Sequence, residues 1–584
     1  MKRFTLILLA STALTAAQPR AISRKAAAFD ISAPLSAMEQ FIPEKRVEIH
    51  PAEFSKPEHQ GSIKGPGTAL GSTPPNLPRE RPGRGGRGGR VPSNAPAPPI
   101  IPPAAPEIGT AGAAVEQSAQ GIRPAIPPIA SFDGLGEGFT GTTGVASAGR
   151  GGIDISLAVG TDHIIEILNG NMAVYTKKGK RYSTTGKLLY GAVPNNTVFT
   201  AFGVRCGVTN NADSVVRYDQ LANRWLIVVP VFTRPPDNPQ GPYAMCYAVS
   251  ATPDPLGPYY RYEFQRPLFP DYPRPAVWPD GYYNPTSTSD NMLPKVVTQK
   301  HDCIADRQSM LNGLPATEQC VIIDGGVFFL NADLLGKRLP PPGAPNILMS
   351  TGGTQLLNIF EDDGIYFYKV HVDWKDPAKT TVFPPQKIAV APYHYLCDGQ
   401  LSNCVSQPDT DRRLDSQGDK LMQGLVYRNL GDHESLLAEH SVATSQHGGG
   451  VRWYEFRLNK QRDPVLYQQS TYAPDGFYRW LASMGMDRKG NIGIGYSFGG
   501  DPNYPGQRFA ARTAGDPKGQ FTFHESVLAN GQASQTNSLR WEDYTNIAVD
   551  PSDDCTFWFA GNYLKAGATS STTRIGSFAV PGCK

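Results

Sequence analysis

A strand phrase that occurs twice with the same internal order constrains this fold more than any other feature. Ser214 to Phe264 reads SVVRYDQLANRWLIVV, then YAMCYAVSATPDPLGPYYRYEF; Arg479 to Ser526 reads RWLASMGMDRKGNIGIGYS, then QRFAARTAGDPKGQFTFHES. Each copy runs a first apolar strand, a turn holding Asp, two further strands, Asp-Pro-x-Gly and an aromatic last strand. One copy is too small to bury its own apolar faces, so copies must pack against one another. Four-stranded units arranged in a ring satisfy that requirement. The expected fold is therefore all-β, a six- or seven-bladed β-propeller.

The units begin near Ile155, Ser214, Ala276, Asn346, Leu421, Arg479 and Tyr544. This division gives seven, with six as its competitor because the third and fourth units are the least regular. Within the third, Asp302 to Gly313 breaks the strand pattern. Its Ala, Arg, Gln, Met and Leu followed by Gly predict a short helical insertion.

Ahead of the repeats the composition changes. Met1 to Ala17 has a basic start, an apolar run over Phe4 to Leu14 and small residues at its end, the pattern of a secretory signal. Residues 18–56 include apolar positions Leu35, Met38 and Phe41 at helical spacing. That spacing fits either a small docking helix or an isolated amphipathic segment. Residues 57–152 are rich in Pro, Gly, Ala and Ser and read as a disordered linker, leaving 153–584 for the propeller. The linker carries an Arg-Gly run from Arg79 to Arg90 without interleaved aromatics. Its expected contact is an acidic envelope surface, if it has one, and not nucleic acid. The whole-chain balance of Lys+Arg 55 against Asp+Glu 52 agrees in excluding a dedicated nucleic-acid binder. No later stretch is apolar for long enough to predict a membrane-spanning helix.

All eight cysteines fall in the repeat region, and export makes disulfides the expected state. Short loops favour Cys303 with Cys320 and Cys397 with Cys404; Cys206 with Cys246 and Cys555 with Cys583 follow by elimination. No cofactor is expected. No zinc spacing is present, and Asp553-Asp554 alone make a poor calcium site, so no metal is assigned. A nucleophile elbow, a phosphate-binding glycine loop and a zincin helix are all absent, which removes serine hydrolases, nucleotide enzymes and zinc proteases.

In a propeller, residues just before each unit's first strand converge on one mouth of the central channel. There the sequence places Asp271 and Tyr272, then Asp432, His433 and Glu434, then Tyr478, Arg479 and Trp480, and finally Arg540, Trp541, Glu542, Asp543 and Tyr544. Asp432, His433, Glu434, Glu542 and Asp543 are the candidates for acid/base work. Asp271, Tyr272, Tyr478, Arg479, Trp480, Arg540, Trp541 and Tyr544 offer rings for stacking and polar groups for binding. Such a rim suits a polyhydroxylated or anionic ligand, with extracellular carbohydrate the expected partner. The bland alternative is that the acids cap turns, the tryptophans fill space between units and His433 makes an internal hydrogen bond.

Taken together, ISLAVGTDHIIEILNGNMAVYTKKG, DYPRPAVWPDGYY, NLGDHESLLAEHSV, GVRWYEF, TYAPDGFYRWLASMGMDRKGNIGIGYS and RWEDYTNIAVDPSDDCTFWFAGNYL resemble exported bacterial propellers of the sialidase-like, BNR-repeat-like kind. The resemblance spans Ile153 to Cys583 and implies a six- or seven-bladed ring with an extracellular role. It carries over no catalytic set: Asp487 to Asn491 is a loose relative of an Asp-box, and no arginine triad is identifiable. The two readings that remain are an exported propeller acting on carbohydrate, as a hydrolase or lyase, and a non-catalytic binding or adhesion scaffold.

Overall fold

The computed structural model describes residues 21–39, 110–142, 146–147 and 153–584, the last stretch with gaps at 204, 212, 233–242, 267–268, 290–298, 325, 327, 356–359, 400–401 and 423. The expected secretory signal, the Arg-Gly run and Phe41 lie outside the described residues. What is described is all-β with a β-propeller arrangement, in which four blades are found.

The repeated phrase folds as its chemistry dictates. Val215–Asp219, Arg224–Val231, Tyr243–Ser250 and Tyr259–Arg266 pair antiparallel in sequence order, and so do Tyr478–Met486, Ile492–Gly500, Asn503–Arg512 and Ser526–Ala529. In the first copy the Asp219 carboxylate accepts from the N–H groups of Leu221 and Ala222, both at 3.1 Å. In the second, Asp487 accepts from Lys489 and Asn491 at 2.8 and 3.0 Å, and Gly490 supplies the left-handed residue at φ 80°. An Asx-type cap thus closes each inner hairpin. Apolar cores lie between neighbouring sheets, not at the centre: Trp225, Ile227 and Val229 pack with Ile165, Ile167 and Val174, and Phe509 stacks on Phe578 at 4.1 Å. The centre holds a cavity lined by inner-strand residues including Leu157, Arg217, Asp333, Val426, Met484 and Val549.

Early residues extend these sheets. Ala28–Ile31 adds antiparallel to Tyr259–Arg266, tied by Arg261 to Asp30 at 2.7 and 2.8 Å. Ile22–Lys25 adds to Thr317–Asp324, and Glu116–Gln117 lies parallel to the outer part of Pro464–Tyr472. Ala130–Gly136 becomes the fourth strand of the C-terminal sheet Asn546–Val549, Thr556–Tyr563 and Thr572–Ala579. Glu166 of the first sheet holds this strand in place, accepting from Leu135 N–H and Tyr175 O–H at 2.9 Å each and from Thr573. The linker expected over 57–152 therefore gives way to folded chain at 110–142. Its Pro and Gly content misled, because a strand completing a distant sheet needs few large side chains of its own.

Two further differences are local. In place of a helix through Leu35, Met38 and Phe41 there is a single 3-10 turn, Leu35–Ala37, which buries Leu35 against Val198 and Phe199. The fourth unit's first strand is Leu330–Leu335, ahead of the expected start at Asn346. The insertion does contain a helix, Arg307–Leu311, capped by Asp306, and it sits between two strands joined by Cys303–Cys320.

All four disulfides among the described residues pair as expected: Cys206–Cys246, Cys303–Cys320, Cys397–Cys404 and Cys555–Cys583. Asp553 caps the turn before Thr556 and Asp554 pairs with Arg428, so both have structural partners. No helix among the described residues is long and apolar enough to cross a membrane.

A chain begun at residue 153 should be less stable than one begun at residue 110, because it loses the closing strand and the fully buried Leu135. That side chain alone is worth about 2 kcal/mol. Denaturant unfolding of the two chains should separate them by more than this amount, and equal midpoints would show the strand to be dispensable.

Candidate functional site

Where the chain enters its innermost strands, side chains from several sheets meet. Glu542–Tyr544 pairs parallel with the strand Ile153–Val159, Tyr544 opposite Asp154, which brings Asp543 alongside Asp154. Asp213 arrives just before Val215–Asp219, and Asp271 ends the strand Phe269–Asp271. Asp154, Asp213 and Asp543 each offer a carboxyl oxygen within 4.8 Å of the others.

Three of these carboxyls form a chain, with Asp213 hydrogen-bonded to both Asp154 and Asp271. A carboxyl–carboxyl hydrogen bond requires a proton. Burial first, and the charge on Asp213 second, push Asp154 and Asp271 well above the usual carboxylate range. Burial also raises Asp213, but the two hydrogen bonds it receives oppose that rise. The favoured state has Asp154 and Asp271 protonated and Asp213 accepting from both, an arrangement that avoids three like charges in one site.

Cations and rings surround the chain. Arg540 pairs with Asp543 and, at 3.3 Å, with Asp415. Gln417 donates to Asp543 at 2.9 Å and Tyr272 O–H donates to the Asp543 carbonyl at 2.7 Å. Arg274 lies 3.4 Å above the Tyr272 ring. Lys420 pairs with Asp419 at 2.9 Å and sits 4.3 Å from the Phe328 ring. Burial pulls Lys300 down to about 7, against the opposing pull of Asp271. Asp213, Tyr272 and Gln417 all hold positive φ, at 62°, 56° and 49°. Non-glycine residues in that region carry backbone strain, and such residues concentrate at functional sites.

Of the residues expected at the mouth, Asp271, Tyr272, Arg540 and Asp543 come together here. Asp543 and Arg540 are partly exposed, whereas Asp154 and Asp213 are buried. Asp432, His433 and Glu434 lie elsewhere, at the turn between Leu425–Asn429 and Glu434–Ala443. There His433 contacts Asp432 at 3.0 Å, and Glu434 is held by Tyr427 and Arg462. Arg479 is fully buried, with its donors spent on Asp475 and Glu525 at 2.8–2.9 Å. Tyr478 is only half-buried, while Trp480 and Trp541 are buried 6.3 Å apart, the Trp541 N–H donating to Ser497 at 2.9 Å. Glu542 faces inward, accepting from Ser497 at 2.8 Å and from the Asn562 N–H; burial pushes it up to about 8. Tyr544 ends its strand.

Asp154, Asp213, Lys300, Asp415, Gln417 and Lys420 escaped the sequence reading. The first two follow the rule already in hand, since Asp213 directly precedes Ser214 and Asp154 stands one residue before Ile155. A hard divalent cation would find three oxygen donors in Asp154, Asp213 and Asp543, and binding it would displace the shared protons.

No protein-family model and no curated protein matches this chain. Among solved structures, it is similar to a protein of unknown function from Dyadobacter fermentans, at 9% identity and TM-score 0.31 over 78% of this chain and 100% of the other. An ulvan lyase shares 9% identity at TM-score 0.24, over 71% of this chain and 80% of its own. A neuraminidase-like protein from A/bat/Guatemala shares 8% identity at TM-score 0.26, over 78% and 96%. Likenesses of this size carry no argument about function.

Raised carboxyl pKa values have a stability signature. Asp154 keeps its proton in the folded state, so its contribution is whole below the unfolded pKa and is lost as pH rises through the folded one. Asn has no proton to lose. The thermal midpoint of Asp154→Asn should therefore gain on that of the parent between pH 4 and pH 8, and a constant or shrinking difference would contradict the assigned protonation.

Proposed function

We propose that this is an exported β-propeller of seven units, begun at residue 153 and completed by the strand Ala130–Gly136, that acts on anionic extracellular carbohydrate at the mouth of the central channel. The count of seven is supported by the first strands, which neighbour one another in the order Ile153–Val159, Val215–Asp219, Ala276–Trp278, Leu330–Leu335, Leu425–Asn429, Tyr478–Met486 and Asn546–Val549, the last beside the first. Four disulfides fit an oxidising, extracellular setting.

One observation carries the function: carboxyls with raised pKa stand beside Asp543 at the ends of the inner strands, among residues with strained backbone. Such a pair supplies both halves of glycosidic cleavage. Asp271, partly exposed and with its carboxyl pushed well above the usual carboxylate range by burial and by Asp213, would donate to the departing glycosidic oxygen. Asp543, oriented by Arg540 and Gln417, would take the proton of the attacking water. Tyr272, Arg274 and Lys300 would position the acidic sugar.

A second reading, a binding scaffold without turnover, is favoured by the pairing of the local cations. Arg540 already spans Asp415 and Asp543, and Lys420 already binds Asp419.

Purified protein should be incubated with uronic-acid and sulfated polysaccharides, with neutral glucans for comparison, and reducing ends measured. Asp271→Asn and Asp543→Asn should each lower turnover on an acidic polymer by about 10²-fold or more. Asp411→Asn, at an exposed position, should leave it unchanged. Binding without turnover would support the scaffold. An equal loss in Asp432→Asn would return the chemistry to the distant turn and sink this site.

A further inference from the structure

At the other end of the inner strands a second cleft opens between two neighbouring sheets. It is bounded by the turn holding His433, the turn holding Lys489 and the side chains of Arg457, Gln468 and Arg512. Arg457 ends the strand Gly449–Leu458, and Arg512 ends Asn503–Arg512. Two sheets distant from the carboxyl chain therefore supply this wall.

Its charge is incompletely balanced. Arg512 is only 2% exposed, and its three hydrogen bonds all go to uncharged oxygens: the Gln468 side chain at 2.6 Å, the Asp516 carbonyl at 2.9 Å and the Thr513 carbonyl at 3.4 Å. Among the described residues no carboxylate forms an ion pair with it. Burying a guanidinium without a direct counter-ion is unfavourable, and burial lowers its pKa, partly opposed by the charges of nearby Asp516 and Glu455. Glu455, the acid lining the cavity, is already engaged by Ser435 at 2.8 Å, Arg457 at 3.2 Å and Gln468 at 2.5 Å. Gln468 thus bridges Glu455 and Arg512 without neutralising the arginine. Arg457 gives its Nε to Glu455 and lies 3.4 Å over the Tyr467 ring, so its two terminal nitrogens and the exposed Lys489 ammonium remain to serve the cleft.

We propose that this cleft binds an oxyanion, a carboxylate or sulfate group, between Arg457, Lys489 and His433, with buried Arg512 supplying the fixed positive field behind it. A planar or tetrahedral oxyanion accepts several donors at once, which a cluster of arginine, lysine and imidazole offers. The group could be a free ion or one carried on an acidic polymer, and in the second case the cleft would be an accessory site on the opposite rim from the carboxyl chain. The inference does not depend on turnover at that chain.

Isothermal titration of the full chain with sodium sulfate, with sodium glucuronate and with dextran sulfate tests it. One or more should bind saturably. Lys489→Glu and Arg457→Gln should each weaken that binding by about tenfold, with unchanged thermal midpoints. Lys379→Glu, an exposed cation elsewhere, should bind as the parent does. Binding of the small ions marks a solute site, and binding of dextran sulfate alone marks a polymer site; either bears the proposal out. No saturable binding of any probe, or equal weakening in Lys379→Glu, would overturn it.

Discussion

The ladder between Ala130–Gly136 and Thr572–Ala579 is the contact on which the remaining geometry depends. It makes the last sheet whole with chain from near the beginning, and Glu166 fastens the same strand to the first sheet. Without it, Thr572–Ala579 would present an unpaired edge, a feature native sheets avoid. Next to that closure the parallel pairing of Glu542–Tyr544 on Ile153–Asp154 fixes Asp543 beside Asp154. First and last sheets therefore meet at the carboxyl chain.

Electrostatics explains why so many ionisable groups tolerate this burial. Asp154, Asp213 and Asp271 share protons instead of carrying three charges, while Asp543 and Asp415 share Arg540. Tyr272 and Phe328 offer ring faces to Arg274 and Lys420, a weaker but favourable form of compensation. The result is a polar site whose members constrain one another, so that removing one charge changes the protonation of the rest. The opposite cleft differs: Arg512 bonds only to neutral oxygens, with Glu455 and Asp516 near it but not paired to it, which leaves it able to receive charge from outside.

Much of the fold was legible because the inner hairpins announce themselves locally. Asp219 and Asp487 cap turns that any reader of β sequence would mark, and flanking alternation sets the strands. The short strands Ile22–Lys25, Ala28–Ile31 and Ala130–Gly136 were not legible, because their partners lie hundreds of residues away and no turn links them. The site divided in the same manner. Asp271, Tyr272, Arg540 and Asp543 were found by the rule that polar residues before inner strands converge. Asp432 to Glu434 precede a second strand and so emerge at the other end. Arg479 and Glu542 stand at the expected place in sequence, yet strand alternation turns them into the protein, where Glu525 and Ser497 occupy them. Lys300, on the middle strand Gln299–Ala305, had no sequence signal.

The central claim is that residues almost four hundred positions apart in sequence, Asp154 and Asp543, form one electrostatic unit. A double-mutant cycle measures this directly, using the unfolding free energies at neutral pH of Asp154→Asn, Asp543→Asn and the double variant. The account predicts a coupling clearly beyond the roughly 0.5 kcal/mol within which independent sites add. Strict additivity would contradict it, because groups on unrelated surfaces would behave in that way.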